Sequence, residues 1–393
     1  MNHPSQIAVI GAGLVGASAA LGLARLGHQV TLVEPHQPSL QQGMLGIDIR
    51  NVALTPASRS FLESLGVWPQ AHLAAYQKLY VWEQWGSGHI QFDAAEVQLD
   101  ALGWVVEASS LTTALWQACT DHDLITVRQT SVGTVDVEDH GIRLQTNSDE
   151  ALHVDFVIGA DGAQSSLRAL LRVGLHDSPV DQAALATVVQ HERPHENVAR
   201  QRFAVDGPLA LLPSRRSDVC SVVWSQSPDE ASRRQALSDE DFCAEIGRQV
   251  EYCLGQVVAV DKRIVFPLHQ HRAETMHPHP RVLLVGDAMR LIHPLAGLGV
   301  NLGFEDVIQL LAVVRDQTDL AAEGLWRRYT RHRETRARAM IFTMAAFKQL
   351  FGADLPGAGL LRRLGMQAVA DLPGVRQQIM REAMGLGVLS QSV

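Results

Sequence analysis

Cysteine is scarce in this chain, and its spacing argues against two common kinds of site. The four residues, Cys119, Cys220, Cys243 and Cys253, form no Cys-X-X-Cys pair. Disulfide frameworks occur in short, cysteine-dense secreted chains, and thiolate zinc sites use closely spaced cysteine pairs. The sequence therefore predicts neither a disulfide scaffold nor a zinc site, and a reducing cytoplasm is the compartment that fits best.

Uncharged runs of membrane-spanning length are also scarce, with one exception near the start. Residues 7–24 form a stretch of 18 uncharged positions, which is about the length at which a span is considered. Four glycines interrupt this stretch, and a second apolar run follows within a few residues. No basic segment of the kind that opens a signal peptide precedes it. We therefore interpret it as the interior of a soluble domain.

Basic residues are outnumbered, since 33 Lys and Arg stand against 42 Asp and Glu, for a formal charge of -9. The basic residues gather at the end of the chain, where 11 stand against 5 acidic residues from Ala322 onward. The preceding part is therefore strongly acidic, whereas phosphate backbones require a basic surface. We predict no nucleic-acid partner. With 393 residues, 46% of them apolar, the chain has room for two domains and a sizeable core.

The sequence begins with the strand, tight turn, helix and strand that are typical of a dinucleotide-binding βαβ unit. An apolar strand leads into Gly11, Gly13 and Gly16, and a second strand, residues 30–33, ends at Glu34. The first glycine permits the turn, the second lets the backbone approach a pyrophosphate, and the third lets helix and strand pack closely. The helix N-terminus favours phosphate, and Glu34 is placed to accept hydrogen bonds from ribose hydroxyls. A purely structural turn is the alternative.

Two further apolar strands run into turns that contain glycine and aspartate. Residues 154–158 lead to Asp161-Gly162, and residues 281–285 lead to Gly286-Asp287 and then to a glycine-rich loop. Ligands bind at the carboxyl ends of the strands in open α/β sheets, so we expect the three turns to converge on one ligand.

Short β-like runs between these turns indicate an inserted domain. They are residues 79–82, 90–92, 209–212 and 219–224. A separate pair of alternating runs, 134–137 and 141–144, predicts a hairpin. The tail from about Met340 has helical periodicity.

With these motifs in this order, the chain resembles the class A flavoprotein aromatic monooxygenases of the p-hydroxybenzoate hydroxylase fold. Within them it is most similar to the ubiquinone-biosynthesis hydroxylases of the UbiH/UbiF type. The resemblance runs nearly end to end and also rests on residues 48–54, 65–68, 102–107 and 207–213. It implies an α/β fold with a discontinuous, FAD-binding Rossmann-like domain of the glutathione-reductase type, residues 1–75, 99–175 and 275–345. Residues 76–98 and 176–274 would form an inserted β-sheet substrate domain, and residues 346–393 a helical C-terminal segment.

The same resemblance implies the chemistry. FAD would be the cofactor, NADPH or NADH the reductant, and O2 the co-substrate, with oxygen transfer through a C4a-hydroperoxyflavin to the ring of a polyprenyl phenol in ubiquinone biosynthesis. Three alternatives stay open: a hydroxylase of a small soluble aromatic, a reductase of the same fold, and a non-catalytic flavin-binding subunit that scaffolds a biosynthetic complex. No metal is expected.

The resemblance also assigns site residues. Those expected at the oxygen-transfer face are Arg50, Pro294, Gly297, Leu298 and Gly299. Those expected to bind the cofactor are Gly11, Gly13, Gly16, Glu34, Arg50, Asp161, Gly162, Gly286, Asp287, Pro294, Gly297, Gly299, Val300 and Asn301. Asp287 would accept hydrogen bonds from ribityl hydroxyls and Asp161 would order its turn. Plain turn aspartates, and an ion-pairing surface role for Arg50, are the alternatives.

Two positions depart from the family pattern. Arg290 stands where the family usually has histidine, and Leu298 stands where it usually has glutamine. The Leu298 change removes a side-chain amide from the expected flavin edge but keeps the backbone N–H groups. We therefore expect flavin binding to survive, whereas the choice of substrate becomes open.

The C-terminal segment combines a basic stretch with an apolar series, Met340, Met344, Phe347 and Phe351. We expect this series to pack on its own domain or on a partner subunit, with a lipid-facing patch as the alternative. An isoprenoid tail, at ~0.8 kcal/mol per buried CH2, would hold the substrate in the bilayer. A cytoplasmic protein that docks peripherally on the inner face of the membrane is therefore the hypothesis.

Four histidines, His269, His271, His277 and His279, occupy a proline-containing stretch with two His-X-His spacings. Few carboxylates lie nearby in the sequence. We interpret these histidines as solvated loop residues rather than as metal ligands.

Overall fold

The computed structural model describes residues 5–84, 89–178, 180–204, 206–292, 298–352 and 373–387. The strands, in chain order, are β1 (Gln6–Ile10), β2 (Gln29–Val33), β3 (Asn51–Leu54), β4 (Leu73–Tyr76), β5 (Lys78–Glu83), β6 (His89–Asp93), β7 (Gly103–Glu107), β8 (Ile125–Arg128), β9 (Val132–Glu138), β10 (Gly141–Thr146), β11 (Ala151–Val154), β12 (Phe156–Gly159), β13 (Leu175–Ser178), β14 (Ala183–His191), β15 (Val198–Ala204), β16 (Gly207–Pro213), β17 (Val219–Gln226), β18 (Val257–Val260), β19 (Ile264–Pro267), β20 (Gln270–Ala273), β21 (Val282–Leu284) and β22 (Arg290–Leu291). The helices are α1 (Leu14–Arg25), α2 (Pro56–Ser64), α3 (Ala108–Thr120), α4 (Ser166–Leu170), α5 (Pro228–Ala236), α6 (Asp239–Gln249), α7 (Leu298–Val314), α8 (Arg327–Gly352) and α9 (Pro373–Ala383), with 3-10 turns at Ala94–Val97 and Gly286–Ala288.

A five-stranded parallel sheet forms the centre of the first part of the fold, in the order β21-β12-β1-β2-β8. Its strands are nearly continuous apolar runs because both faces are covered, as parallel sheets require. Helix α1 packs against this sheet and against α3 and α7. Strands β1, β12 and β21 are neighbours, so their carboxyl ends lie side by side. The three glycine-bearing turns therefore meet at one edge of the sheet, which convergence on one ligand requires.

The hairpin predicted at residues 134–144 is confirmed as β9 and β10, and β11 extends it to three antiparallel strands. The prediction of a single strand over residues 154–158 is wrong in one respect, because one strand ends before Asp155 and another begins after it. Before Asp155 the chain belongs to the hairpin sheet, and after it to the parallel sheet. Asp155 secures this crossing: its carboxylate accepts the Gln6 N–H at 2.7 Å, and its N–H donates to the Gln6 carbonyl.

An eight-stranded mixed sheet follows the order β18-β14-β17-β16-β15-β5-β6, with β19 also pairing β14. The four runs predicted as strands lie within β5, β6, β16 and β17, and each is confirmed. Helices α5 and α6 cover one face, the outer face, where Leu211 and Val222 share a core cluster with Ile246 of α6. On the opposite, inner face, Val188 and Val219 pack against Ile47, which comes from the segment before β3.

The C-terminal helices pack on two different parts of the fold. Helix α7 packs on α1 so closely that a Cβ at Gly303 would lie 2.4 Å from Val15 Cγ2. Helix α9 buries Met380 and Met384 against Ala94 and Leu102. The predicted helical tail is confirmed for α8 and α9, and residues 353–372 lie outside the described ranges. None of the helices in the described residues is long and apolar enough to cross a membrane.

The interpretation of His271 as a solvated loop residue is wrong. His271 belongs to β20, pairs with Asp177 of β13, and is buried. Burial lowers the pKa of His271, and of His277 and His279 as well. No group of three or more His, Cys, Asp or Glu side chains is arranged to hold a metal ion in the part of the chain that the structure describes.

Candidate cofactor site

A cavity of about 380 Å³ opens at the carboxyl ends of β1, β2 and β12. Five residues that the sequence singled out line it: Gly11, Gly13, Glu34, Asp161 and Gly162. The other lining residues are Ile10, Val33, Pro35, Thr130, Ser131, Val132, Ala160, Gln164 and Ser166. The first and second glycine turns therefore share one cavity.

The three glycines of the first turn differ in what surrounds them. Gly11 has a φ of +97°, and an added Cβ would lie 2.6 Å from the Ala160 carbonyl oxygen. A Cβ at Gly16 would lie 1.9 Å from the Gly11 carbonyl oxygen. The packing of the chain itself thus requires both of these glycines. A Cβ at Gly13 would meet no heavy atom within 4 Å, so this position faces open space in the cavity.

The Glu34 carboxylate is held at the cavity wall by two backbone groups. Its Oε2 accepts the Ala12 N–H at 2.9 Å, and its Oε1 accepts the His36 N–H at 3.2 Å. A carboxylate offers about four lone-pair positions, so capacity remains for further donors. The side chain is therefore both oriented and able to accept hydrogen bonds from a ligand.

Asp161 orders its turn through one carboxylate oxygen, whereas the other oxygen accepts no hydrogen bond in the described residues. Its Oδ2 accepts the Ser166 hydroxyl at 2.9 Å and the Leu167 N–H at 3.0 Å, at the start of α4. Its Oδ1 is buried and accepts no hydrogen bond within the described residues. A buried acceptor without a donor is costly, and a hydroxyl-bearing ligand in this cavity would supply one.

The third turn lies beside the first, because a Cβ added at Gly286 would lie 3.2 Å from Cγ1 of Val15 in α1. The carboxylate of Asp287 is partly buried and accepts no hydrogen bond from any described side chain or backbone group. Burial raises the pKa of Asp287, with Arg290 opposing the effect and Asp306 adding to it. Such a carboxylate suits a ligand that brings hydroxyl donors.

Arg290, the first departure from the family pattern, is a buried structural cation. Its Nη1 donates to Asp306 Oδ2 at 2.8 Å, and its Nη2 donates to the Leu302 carbonyl at 3.0 Å. Asp306 Oδ1 accepts Arg333 Nε at 2.6 Å, and its Oδ2 also accepts the Gly286 N–H at 3.0 Å. Although burial opposes ionisation, the two arginines hold the pKa of Asp306 below its usual value. Arg290 therefore binds the third turn to α7, and Asp306 connects this pair to Arg333 of α8.

Sequence reasoning did not identify Asp306 or Arg333. A signal was present, because Glu305 and Asp306 are the two charged residues of a largely apolar helix. Acidic residues are almost never fully buried unless they are paired, so this pair pointed to a buried network. What the pattern does not contain is the identity of the partners, which come from β22 and α8.

The first turn of α7 is tied to the junction of β3 and α2 through Asn301. Its Oδ1 accepts the Thr55 N–H at 3.0 Å and the Ser58 hydroxyl at 2.7 Å, and its Nδ2 donates to the Ala53 carbonyl at 2.7 Å. The side chain is thus used within the chain, so contact with a cofactor at this position falls to the backbone.

A Cβ at the neighbouring Gly299 would meet no heavy atom within 4 Å. Val300 is half-buried beside it. Pro294 and Gly297 lie outside the described residues, as does the side chain of Leu298.

Arg50 is exposed and does not line the cavity. Its backbone N–H donates to Asp48 Oδ1 at 2.9 Å, and its carbonyl accepts the Ala108 N–H. Its guanidinium forms no ion pair or hydrogen bond with any residue in the described ranges. The surface ion pair considered as an alternative is therefore absent from that part of the chain.

These features fit FAD. Two acidic side chains and an open glycine line one cavity next to a helix N-terminus, where backbone N–H groups favour phosphate. A third carboxylate without a donor lies on the adjacent turn. Hydroxyl donors and a pyrophosphate are the groups that this set would accept.

Comparison with known proteins identifies the class. The model of the FAD binding domain family matches residues 4–343, and the chain belongs to this family. It is 35% identical over 393 residues to the 3-demethoxyubiquinol 3-hydroxylase of Escherichia coli K12, covering 98% of this chain and 100% of that protein. It is 29% identical to the ubiquinone hydroxylase UbiL of Rhodospirillum rubrum, covering 97% and 90%.

The fold is that of p-nitrophenol 4-monooxygenase PnpA from Pseudomonas putida DLL-E4, with a TM-score of 0.77, 18% identity and full coverage of both chains. The protein is thus an FAD-dependent, aromatic-ring monooxygenase of class A, a class for which NAD(P)H is the typical reductant.

Proposed function

We propose that this monooxygenase hydroxylates the aromatic ring of a polyprenyl phenol in ubiquinone biosynthesis. The observation that carries the proposal is the end-to-end similarity, at 35% identity, to a protein named 3-demethoxyubiquinol 3-hydroxylase. When bound, FAD supplies the redox chemistry, taking reducing equivalents from NAD(P)H and activating O2 for transfer to the ring. The residues of this chain bind, orient and shield.

Binding of FAD is assigned to the carboxyl-end turns. The backbone at Gly13 would approach the pyrophosphate, Glu34 and Asp161 would accept ribose hydroxyls, and Asp287 would accept ribityl hydroxyls. The N-terminus of α7 carries about half a positive charge, and Gly299 leaves its first turn open to the reduced cofactor. Pro294 and Gly297 remain the proposed neighbours of the oxygen-transfer face.

The inner face of the eight-stranded sheet is suited to an apolar substrate. In β16, Leu209 and Leu211 are buried on the outer face, whereas Ala210 and Leu212 are only half-buried and point the other way. Val223 of β17 pairs with Ala210 and is also half-buried. This apolar row lies on the face that packs against the segment before β3, and we propose it as a wall of the substrate site that keeps water from the reacting ring.

Turnover with defined substrates tests the proposal. We expect a short-chain polyprenyl phenol to accelerate NADPH oxidation, with O2 uptake and one hydroxylated product found by mass spectrometry. Faster coupled turnover of a small soluble phenol would contradict the polyprenyl assignment, and substrate reduction without O2 uptake would indicate a reductase. Oxidation that no phenol accelerates would favour a scaffold subunit. The departure from the family pattern at Arg290 does not by itself favour a scaffold subunit, because this arginine pairs with Asp306 and has a structural role.

A deletion strain identifies the step. The quinone intermediate that accumulates in it would lack the hydroxyl group that this protein adds, so its structure names the ring position. Accumulation of no quinone intermediate would contradict a role in this pathway.

Peripheral membrane contact follows from the proposed substrate, whose tail belongs in the bilayer. Helix α8 presents Arg327, Arg328, Arg331 and Arg338 to solvent, whereas Arg333 is buried. We expect the protein to cofloat with anionic liposomes, and replacement of Arg331 and Arg338 by Glu to reduce its recovery.

A matched control replaces two exposed residues outside α8, Arg143 and Lys262, by Glu. Equal recovery of both double variants would refute a specific contribution of α8. Substitution is preferable to truncation after Ala353, because α9 contributes Met380 and Met384 to a buried cluster.

A further inference from the structure

A second cavity, of about 500 Å³, lies on the outer face of the eight-stranded sheet. Tyr80 of β5 lines it and pairs with Arg200 of β15, which pairs in turn with Leu211 of β16. Paired residues share a face, and Leu211 belongs to the core that α6 covers. The cavity therefore opens on the outer face, opposite the inner face that packs against Ile47.

The cavity lies where the outer helical layer ends. Helix α6 packs on β18 and helix α5 on β14 and β17, and the residues just after α6, Val250, Glu251 and Cys253, form one wall. Strands β5 and β15 form the floor through Tyr80, Trp82 and Arg200. Its volume falls within the range of small-molecule sites.

Two buried N–H donors without acceptors lie at the floor or next to it, on Trp82, which lines the cavity, and on the adjacent Arg202, which does not. Trp82 is 8% exposed, and its Nε1–H has no acceptor within the described residues. Arg202, which pairs directly with Trp82 across the two strands, is 6% exposed, and its Nε–H likewise has no acceptor there. Buried polar groups are normally hydrogen-bonded, so these donors point to an acceptor that the chain does not provide.

Positive charge also remains at the floor. The guanidinium of Arg200 donates through Nη1 to the carbonyls of His195 and Val198, at 3.0 and 3.1 Å. No carboxylate pairs with it in the part of the chain that the structure describes. Burial, and after it the charge of Arg200, lowers the pKa of His191 to about 4, which keeps that neighbouring ring neutral.

The acidic residues of the cavity are at its rim and do not cancel this charge. Glu251 pairs with Arg202 Nη2 at 3.3 Å, and Glu196 is exposed. Lys78, also at the rim, pairs with Asp93. The floor thus keeps an excess of donors over acceptors.

Aromatic rings and shaped loops complete the site. The ring centroids of Tyr80 and Trp82 lie 5.4 Å apart, with the ring planes tilted by 37°, and both rings line the cavity. Two loops frame the opening, and each holds consecutive non-glycine residues in the left-handed region. Glu196 and Asn197 have φ of +56° and +57°, and the residues at 251 and 252 have +55° and +48°. Such conformations persist only where surrounding structure imposes them, and they cluster at ligand sites.

We propose that this cavity binds a small aromatic carboxylate as a second ligand site, separate from the cofactor site. The carboxylate accepts the Trp82 Nε1–H and pairs with the Arg200 guanidinium, which matches planar acceptors well. The aromatic ring lies against Tyr80 and Trp82. The assignment is independent of the substrate proposed above, because it rests only on the outer face.

Calorimetric titration of the FAD-loaded protein with benzoate tests the site. We expect saturable binding that leaves the flavin absorption spectrum unchanged. Trp82→Phe, which keeps the ring and removes the N–H, and Arg200→Gln should each weaken binding at least tenfold. Arg248→Gln, an equal charge change on the exposed side of α6, should leave it unchanged. Cyclohexanecarboxylate should bind several-fold more weakly than benzoate, and benzyl alcohol at least tenfold more weakly.

Several results would overturn the proposal. Absence of benzoate binding would do so, as would equal affinity for wild type, Trp82→Phe and Arg200→Gln. Binding that shifts the flavin spectrum and ignores both substitutions would place benzoate beside the cofactor instead. If benzyl alcohol bound as tightly as benzoate, the claim that the site recognises a carboxylate charge would be refuted. If Arg200→Gln loses FAD or unfolds, Trp82→Phe decides alone.

Discussion

The first glycine turn allows a sharp test, because two of its glycines have opposite surroundings. We expect Gly13→Ala to lose FAD affinity with little loss of stability, and Gly16→Ala to lose stability directly. The added methyl group is the same in both variants. Only the neighbourhood differs, with open cavity at Gly13 and the Gly11 carbonyl at Gly16.

The magnitudes follow from the distances. At Gly16 the new Cβ would lie 1.9 Å from an oxygen, whereas real Cβ atoms stay beyond 3.0 Å, so α1 must shift by at least 1.1 Å from the turn. Overpacking of this kind typically costs about 1–3 kcal/mol, or more. At Gly13, which caps α1 with a φ of -66°, alanine adopts the same backbone, and loss of a favoured N-cap residue costs up to about 1 kcal/mol.

The loss of affinity at Gly13 comes from the cofactor. A methyl group in the open space would hold the pyrophosphate away from the turn and break at least one charge-assisted hydrogen bond, about 1.5–3 kcal/mol. That corresponds to about a 10- to 150-fold rise in Kd.

The measurements are FAD titration by flavin fluorescence and urea unfolding of the FAD-free protein. Wild-type affinity in Gly13→Ala would refute the assignment of this turn to the pyrophosphate. Equal loss of unfolding free energy in both variants would refute the distinction drawn from their surroundings.

Three further predictions concern the third turn and its supports. Asp306→Asn leaves the buried Arg290 without a carboxylate and Arg333 with Glu305 alone, so we expect the free energy of unfolding to fall by about 3–5 kcal/mol in urea titrations. FAD affinity should decrease as pH falls through the raised pKa of Asp287, because hydroxyl donors bind its charged form, and Asp287→Asn should flatten that profile. Asn301→Ala removes the hydrogen bonds to the buried Thr55 N–H, the buried Ser58 hydroxyl and the half-buried Ala53 carbonyl, so we expect about 2 kcal/mol or more of destabilisation in thermal unfolding.

Each of these predictions has an outcome that contradicts it. An unchanged urea midpoint in Asp306→Asn would show that the two arginines find other partners. A pH profile of FAD affinity that persists in Asp287→Asn would assign the titration to another group. The free energy of unfolding provides an independent check. Because the pKa of Asp287 is raised in the folded protein, this residue contributes stability at low pH, and that contribution is lost as pH rises through the raised pKa. Wild-type stability in Asn301→Ala would mean that water replaces the amide.

Much of the architecture was predictable, because its signals are local. The short β-like runs of β5, β6, β16 and β17 and the alternating hairpin of β9 and β10 follow from short-range patterns, and so do the strands that precede the glycine turns. The division at Asp155 was missed, because a run of apolar residues does not show where a strand exchanges one sheet for another.

The environment of the histidines and of Arg290 was not predictable in the same way. His271 lies in a stretch that reads as a polar loop, yet its strand pairs with β13 from about a hundred residues earlier and becomes buried. Arg290 reads as a departure from a family motif, and only the positions of α7 and α8 supply Asp306 as its partner.

The amino-acid sequence by itself determined that three strands end in glycine-bearing turns, because each turn is specified by residues a few positions apart. Tertiary structure decided which glycine serves packing and which faces a cavity, since that depends on atoms such as the Gly11 and Ala160 carbonyls lying next to the turn in space. It also placed Trp82 beside Arg202 and Arg290 beside Asp306. Burial and pairing are properties of neighbours in three dimensions, and local periodicity does not name those neighbours.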